Sequence, residues 1–389
     1  MPSHSKMEKP LEEGAIGSIL KSSKTEYTVT GKLGYGKFGK IVAVESKLKV
    51  FNCLTTWNSI KMVKMSAERG MTELKILREL KKLGAQCHKI IEFEGSFSTD
   101  LHVMLIMGTY ERTLKKEMGK SKLPLNVIRP IMLQILCGLL FLHKHDFIHG
   151  NITLDNIVLV SYMPEEYSIR IINFEATHHP KHNKSYDLMA PTRCYRSPEK
   201  LIGYKWLTPS MDIWALGCIG MEMFTGKVCF PGGGLYEMLQ FIEKTCGPFP
   251  VIMSSTIRSE LFFRRTSLGY QLRCVEDFKK RVGSQSVIKG GHNVSSALPL
   301  DEYTDPCQDE DDVKVFIQLI KGLLTIDPKM RMTAERAVHS GFFHTGHLGG
   351  VNAVNARKIM SKIDAPHEII KRHNDEPKYG YDIDGLKRL

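Results

Sequence analysis

Three blocks between residues 147 and 200 decide the fold: FIHGNITLDNIVLV at 147–160, IRIINFEAT at 169–177 and TRCYRSPEK at 192–200. In each block a few polar residues stand in an apolar frame. The order and spacing of the blocks indicate the fold, whereas the identity of the polar residues decides whether the chain can carry out chemistry.

The composition is typical of a soluble globular protein with a basic surface. Its 389 residues are enough for two lobes with substantial cores. The net charge of +12 favours acidic partners, such as acidic or phosphorylated proteins, although a basic surface without a specific partner is the simpler interpretation. No helix-turn-helix or zinc-finger motif is present, so no specific nucleic-acid binding is expected.

Cysteine usage and hydropathy predict an intracellular protein. Nine cysteines are scattered from Cys53 to Cys307 without a CxxC pair, which argues against a zinc site or a disulfide framework. The N-terminal sequence MPSHSKMEKPLEEG has no apolar core, so it is not expected to be a signal peptide. The longest apolar run, residues 130–142, is too short to span a bilayer and contains Gln134. We therefore expect no membrane span and a location in the cytoplasm, the nucleus or both.

A glycine-rich segment lies between two predicted strands near the N-terminus. Gly34, Gly36 and Gly39 form a GxGxxG pattern, and a strand beginning near Ile41 follows directly. A dinucleotide-binding fold would need a helix at this point. Strand, glycine loop and strand instead form an arrangement in which the backbone approaches nucleotide phosphates closely. An ordinary glycine hairpin is the alternative.

A lysine and a glutamate on neighbouring predicted elements are candidates for an ion pair. Lys61 lies on a strand predicted near 57–63, and Glu73 lies on a helix predicted near 67–83. Such a pair would hold the lysine on nucleotide phosphates. The alternatives are a solvated lysine and a surface glutamate, but the apolar pair Ile76-Leu77 three residues later favours a buried Glu73.

Two more strands and several buried helices are predicted to follow. The strands lie near 90–97 and 102–107, and they lead through Gly108 and Tyr110 into a helical part. Helices are predicted near 126–143, 211–219, 235–246 and 313–324. Asp212 stands in an apolar frame and therefore needs a buried partner.

These blocks, taken together, resemble a eukaryotic protein kinase domain. They match in order its catalytic loop, its D-F-G motif and its A-P-E motif. The sequence is most similar to the CMGC group, and within it to the homeodomain-interacting and dual-specificity tyrosine-regulated kinases. Arg193, Tyr195 and Arg196 match the group's S-R-x-Y-R-x-P-E pattern. The resemblance implies an α+β, bilobal fold with a small β-rich N-lobe and a larger helical C-lobe.

The resemblance also implies domain boundaries and binding roles. It divides the chain into a flexible segment at 1–25, a kinase domain at 26–343 and a tail at 344–389, with the N-lobe at about 26–107, the C-lobe at about 111–343 and an insert within 231–310. ATP is the implied ligand, held by Gly34, Gly36, Gly39, Ile41, Lys61, Glu73, Gly108, Tyr110 and Asn156. Magnesium would be held at Asn156 and Asn173. Arg331 is the implied partner of Glu199, and Asp212 is the implied tie to the catalytic-loop backbone.

Four positions depart from the pattern of an active kinase. Asn151 replaces the aspartate that accepts the substrate proton, and an amide cannot serve as that base. Asn173 replaces the metal-binding aspartate, although magnesium favours carboxylates. Thr153 replaces the catalytic-loop lysine, and Glu175 replaces a glycine and brings a negative charge near the nucleotide site. Both metal positions are therefore neutral, which weakens the case for magnesium.

The resemblance and the departures together predict a pseudokinase. It would keep residual ATP binding and act as a scaffold or regulator of kinase signalling through protein partners or substrates. The alternative is an active or weakly active Ser/Thr protein kinase with a non-standard site. Met189 fills the slot in which the relatives carry an activation-segment tyrosine, so tyrosine autophosphorylation is not expected.

Overall fold

The computed structural model of the chain describes ten stretches of sequence: residues 12–36, 39–48, 55–110, 112–161, 167–179, 193–204, 207–251, 259–266, 269–282 and 293–344. Within them, a β-rich part precedes a mainly helical part. The predicted bilobal α+β architecture is therefore confirmed.

The N-lobe is built on one antiparallel sheet. Its strands are β1 (Ile19–Lys21), β2 (Thr25–Gly36), β3 (Gly39–Leu48), β4 (Thr55–Lys64), β5 (Phe93–Ser98) and β6 (His102–Gly108), in the order β1-β2-β3-β4-β6-β5. The sheet begins before Tyr27, where the sequence pattern placed its start. The reason is Leu20, whose side chain is buried with Tyr27 and Val29 and so holds β1 against β2.

The C-lobe is mainly helical. Its helices follow α1 (Glu68–Lys82) of the N-lobe and are α2 (Leu114–Met118), α3 (Leu125–Lys144), α4 (Pro198–Leu201), α5 (Ser210–Thr225), α6 (Leu235–Cys246), α7 (Ser259–Phe262), α8 (Val275–Val282), α9 (Glu310–Leu323) and α10 (Ala334–Val338). The C-lobe also contains two two-stranded antiparallel sheets. One pairs β7 (Ile157–Ser161) with β8 (Ser168–Ile171), and the other pairs β9 (Phe263–Thr266) with β10 (Gly269–Leu272). The loop that contains Asn151 leads into β7, and the segment that contains Asn173 and Glu175 follows β8. These two segments, together with Lys61, form the region called the cleft below.

Helix α3 is the central helix of the C-lobe. It is longer than the apolar run at 130–142, and within the described residues it is the one helix long and apolar enough to cross a membrane. Most of it is buried inside the protein, where it packs against α5, α9 and α10. Pro130 is the sixth residue of α3 and not close to its start, so the carbonyl of Asn126 lacks its usual helical donor.

The predicted pair of Glu199 and Arg331 is confirmed and almost fully buried. The guanidinium donates to both carboxylate oxygens, at 2.8 and 2.9 Å. It also donates to the backbone carbonyls of Ser210, Thr325 and Ile326 at 2.8–3.0 Å. The pair thus joins α4 to the start of α5 and to the loop before α10.

The insert contains more regular structure than its sequence indicated. One helix, near 235–246, was predicted within 231–310, but the described part also contains the hairpin β9–β10 and helix α8. Phe278 of α8 is buried, and its ring stacks on those of Tyr236 and Phe262. These aromatic contacts hold helix α8 on α6 and α7, all three within the insert.

Candidate functional site

The glycine segment forms a hairpin at the edge of the cleft, with Gly36 paired to Gly39; the two residues between them lie outside the described ranges. A Cβ at Gly39 would stand 1.9 Å from the carbonyl oxygen of Met62, so packing on β4 alone requires this glycine. A Cβ at Gly34 would meet open space. Packing therefore does not require a glycine at position 34.

The predicted ion pair of Lys61 and Glu73 is confirmed. Lys61 Nζ lies 2.7 Å from Glu73 Oε2, and both side chains are about 95% buried or more. Strand β4 supplies the lysine beside Ile41 of β3, and helix α1 supplies the glutamate from the face that packs on the lobe. The two elements are thus held in the arrangement that the sequence predicted.

Glu175 is a third member of this group, and the sequence did not predict its contact. Its Oε2 lies 3.3 Å from Lys61 Nζ, and its side chain is 8% exposed. Burial by itself would lower the pKa of the Lys61 ammonium, but the carboxylates of Glu73 and Glu175 outweigh burial and raise that pKa above its ordinary value. Lys61 is therefore charged at neutral pH and shared between two carboxylates.

Asp212 holds the backbone of the loop that contains Asn151, as predicted. Its carboxylate accepts from the backbone N–H of His149 at 2.9 Å and of Gly150 at 2.8 Å, and His143 Nε2 lies 3.0 Å away. Gly150 has φ +74°, and a Cβ there would stand 2.8 Å from the carbonyl oxygen of Ala176. A glycine is needed at this turn for both reasons.

His149 is a structural residue of the same loop. Burial lowers the pKa of its imidazole, so the ring is neutral at neutral pH. Nε2 lies 3.1 Å from the carbonyl oxygen of Ile172, and Nδ1 lies 3.3 Å from the backbone nitrogen of Asn151. A neutral ring that donates from Nε2 and accepts at Nδ1 satisfies both contacts.

Asn151, Asn156 and Asn173 are linked by hydrogen bonds, and an active kinase carries aspartate at the first and the third of these positions. Asn156 Nδ2 donates to the carbonyl of Asn151 at 2.8 Å, and Asn173 Nδ2 donates to Asn156 Oδ1 at 3.2 Å. Asn173 has φ +68°, a conformation that asparagine tolerates well. Among the residues that the structure describes, its buried Oδ1 finds no hydrogen-bond partner.

This amide chain does not fit magnesium. The side-chain oxygens it offers, such as the buried Asn173 Oδ1, are neutral, whereas Mg²⁺ favours carboxylates in octahedral geometry. Within the described residues no cluster of three or more His, Cys, Asp or Glu is arranged to hold a metal. Glu175, the nearby carboxylate, is engaged by Lys61.

Thr153, the position of the missing catalytic-loop lysine, is buried just before the 3-10 turn Leu154–Asn156. Asp155, the acidic residue of that turn, is exposed. Met189 lies outside the described residues.

The connection between the lobes carries one polar contact that the sequence did not predict. Ser59 Oγ donates to the carbonyl of Gly108 at 3.0 Å, and the Gly108 N–H donates to the carbonyl of Glu92 at 3.0 Å. The phenol of Tyr110 lies close to Gly108, and burial raises the pKa of Tyr110. A carbonyl oxygen has two lone pairs, so Gly108 can accept one further hydrogen bond from a ligand.

The fold and the arrangement of these motifs are those of a protein kinase domain. The family model described as "Protein kinase domain" matches residues 27–343, so the chain belongs to the protein kinase domain family, within its CMGC group. It is 28% identical to "Homeodomain-interacting protein kinase 1" of Caenorhabditis elegans over 85% of this chain and 41% of that protein. It is 28% identical to the mouse protein of the same name over 85% of this chain and 28% of that protein.

A second group of relatives is described as Ser/Thr kinases. The chain is 25% identical to "Serine/threonine-protein kinase AFC2" of Arabidopsis thaliana, over 82% of this chain and 76% of that protein. The chain spans less than half the length of the homeodomain-interacting relatives. Protein kinase domains use ATP and magnesium in general, and the departures described above bear on both.

Proposed function

We propose that the chain is a pseudokinase of the CMGC group that acts as a scaffold or regulator of kinase signalling and keeps residual ATP binding. The observation that carries the proposal is the contrast within one cleft. The Lys61–Glu73 pair and the hydrogen bonds of Asp212 are assembled, while Asn151 and Asn173 carry neutral amides, and Asn156 links the backbone carbonyl of Asn151 to the side chain of Asn173. The framework of a kinase is thus kept without the base and the metal ligand.

The loss of the base alone accounts for a large loss of rate. General acid–base help contributes about 10²- to 10⁴-fold in enzymes, and Asn151 can supply none of it. A site without a carboxylate for magnesium loses its charge neutralisation as well. A weakly active Ser/Thr kinase is the second candidate, because the assembled Lys61–Glu73 pair is one requirement for transfer.

The partners that fit this proposal are proteins, acidic or phosphorylated, because the chain carries a net charge of +12. The relatives are named as protein kinases, which supports protein partners or substrates over small molecules. We place the chain inside the cell, in the cytoplasm, the nucleus or both. All eight cysteines that the structure describes are free, which supports a reducing compartment.

Millimolar ATP is expected to raise the melting temperature by a few degrees, with little further change on adding magnesium. A ligand at ten times its Kd stabilises the folded state by about 1.4 kcal/mol, which corresponds to roughly 2 °C for a domain of this size. Magnesium adds little because Asn156 and Asn173 offer it no carboxylate. A thermal-shift titration with ATP, with magnesium or with a chelator, measures both effects.

Two lysine substitutions on strand β4 test whether the ATP shift depends on Lys61. Lys61→Ala leaves Glu73 and Glu175 uncompensated and is expected to abolish the ATP shift, whereas Lys64→Ala removes an exposed lysine of β4 and is expected to preserve it. A large additional shift with magnesium would contradict the neutral metal site. A radiolabelled transfer assay on the same samples separates the two candidates, because transfer that disappears in Lys61→Ala would establish an active kinase.

A further inference from the structure

Glu175 occupies the contact of Lys61 that a nucleotide phosphate would use. An ammonium group has three N–H donors. Two of them are directed at carboxylate oxygens, Glu73 Oε2 at 2.7 Å and Glu175 Oε2 at 3.3 Å. The Glu175 carboxylate, an anion that belongs to the chain itself, is therefore bound to the Lys61 ammonium group in the cleft.

The backbone holds Glu175 in this position. Glu175 is the middle residue of a 3-10 turn, Phe174–Ala176, closed by a hydrogen bond from the Thr177 N–H to the carbonyl of Phe174 at 3.1 Å. Phe174 is fully buried, and its ring lies edge-on to that of His149 at 4.9 Å between centroids. Helix α1 packs against the same turn. The contact with Lys61 thus follows from an anchored turn and not from a mobile surface side chain.

The charge balance of this group is negative. Lys61 contributes one positive charge, and the carboxylates of Glu73 and Glu175 contribute two negative charges. Lys61 is the one cation that pairs with either carboxylate among the residues that the structure describes. A phosphate that approaches Lys61 has to displace Glu175 or remain beside its charge, and both cost free energy in a partly desolvated cleft.

An uncharged ligand does not meet this obstacle. The Gly108 carbonyl, which accepts from the Ser59 hydroxyl, has a second lone pair for a donor on a heterocyclic base, and no atom lies within 4 Å of the position that a Cβ at Gly34 would take. A nucleoside uses these features without placing an anion beside Glu175. Each added phosphate brings more negative charge toward the group that already carries an excess of it.

We propose that Glu175 sets the ligand specificity of the cleft, so that it selects a neutral nucleoside over the corresponding nucleotides. This inference rests on the proposed function, since it concerns the residual ligand binding of the same cleft. The Glu175 carboxylate takes the place that a nucleotide phosphate would occupy on Lys61.

Calorimetric titration with adenosine, AMP, ADP and ATP in a magnesium-free buffer tests the inference. The wild type is expected to bind adenosine at least as tightly as ATP. Glu175→Gln removes the charge and keeps the shape, and it is expected to tighten ATP by about tenfold or more while changing adenosine by less than about twofold. Glu302→Gln makes the same charge change at an exposed residue of the C-lobe and is expected to change neither.

Three outcomes would overturn the inference. The wild type could bind ATP about tenfold more tightly than adenosine, or the ratio of the ATP and adenosine dissociation constants could stay unchanged in Glu175→Gln. The third is that no variant binds adenosine. Glu175→Gly provides a second substitution with the same expectation if the glutamine variant does not fold. Tight ATP binding without phosphoryl transfer would overturn this inference alone. Phosphoryl transfer by the wild type would overturn the pseudokinase proposal, so the two failures are distinguishable.

Discussion

Replacement of Arg331 by alanine is expected to lower the free energy of unfolding by about 3–5 kcal/mol, because it leaves the Glu199 carboxylate buried without its cation. The carboxylate is about 1% exposed, so water cannot replace the guanidinium. The backbone carbonyls of Ser210, Thr325 and Ile326 lose their donor at the same time. Domains are stable by roughly 5–15 kcal/mol in total, so the loss is a large fraction of the whole.

The shift of the denaturation midpoint in guanidinium or urea measures this effect, with Arg336→Ala as the matched control. Arg336 is exposed on α10, and its replacement is expected to change stability by less than about 0.5 kcal/mol. Arg331→Lys keeps the charge but cannot donate to both carboxylate oxygens in one plane, so an intermediate loss is expected. An unchanged midpoint in Arg331→Ala would show that the pair does not hold the C-lobe together.

A double variant separates two contributions to the lost stability, that of the unpaired Glu199 carboxylate and that of the three backbone carbonyls without a donor. Adding Glu199→Gln to Arg331→Ala replaces the stranded charge by a neutral amide, which costs less to bury. The double variant is therefore expected to recover part of the stability. The part that is not recovered reflects the three carbonyls that Arg331 no longer satisfies. Equal losses in the single and the double variant would mean that the carbonyl contacts, and not the ion pair, dominate.

Contacts within the motifs were predictable from the sequence because each is enforced by several apolar neighbours. The Lys61–Glu73 pair was predicted from a glutamate beside the apolar pair Ile76-Leu77, and the Glu199–Arg331 pair was implied by the resemblance to protein kinases. In both cases a buried charge must find a partner. The long helices were predictable for a related reason, because their apolar periodicity extends over many residues. The short strand β1 was not, since its burial rests largely on Leu20.

Two features of the cleft were not predictable in detail. Glu175 was expected to add negative charge near the nucleotide site, but its contact with Lys61 depends on the orientation of a three-residue turn fixed by Phe174. The Ser59 hydroxyl reaches the Gly108 carbonyl across β4 and β6, a pairing of residues 49 positions apart. A serine within an apolar strand was the available signal, but a sequence does not state which acceptor such a hydroxyl meets.

Phosphoryl transfer is expected to return only when four residues are changed together. Asn151→Asp restores the base, and Asn173→Asp restores a carboxylate for magnesium next to the Asn156 amide. Glu175→Gly releases Lys61 from its second carboxylate, and Thr153→Lys supplies the missing cation for the γ-phosphate. Each change alone leaves the other obstacles in place.

The four-residue variant is expected to transfer phosphate measurably, whereas each single reversion gives almost nothing, because groups that act as one unit are strongly non-additive. Without the base, about 10²- to 10⁴-fold in rate is missing even when the metal site is repaired. The backbone supports the replacements, since the positive φ of residue 173 suits aspartate as it suits asparagine.

A radiolabelled transfer assay with a generic protein substrate and magnesium measures the rate. The same variant carrying Lys61→Ala is the control and is expected to be inactive. Transfer by the Asn151→Asp variant alone, at the rate of the combined variant, would show that the metal site and Glu175 do not limit this cleft.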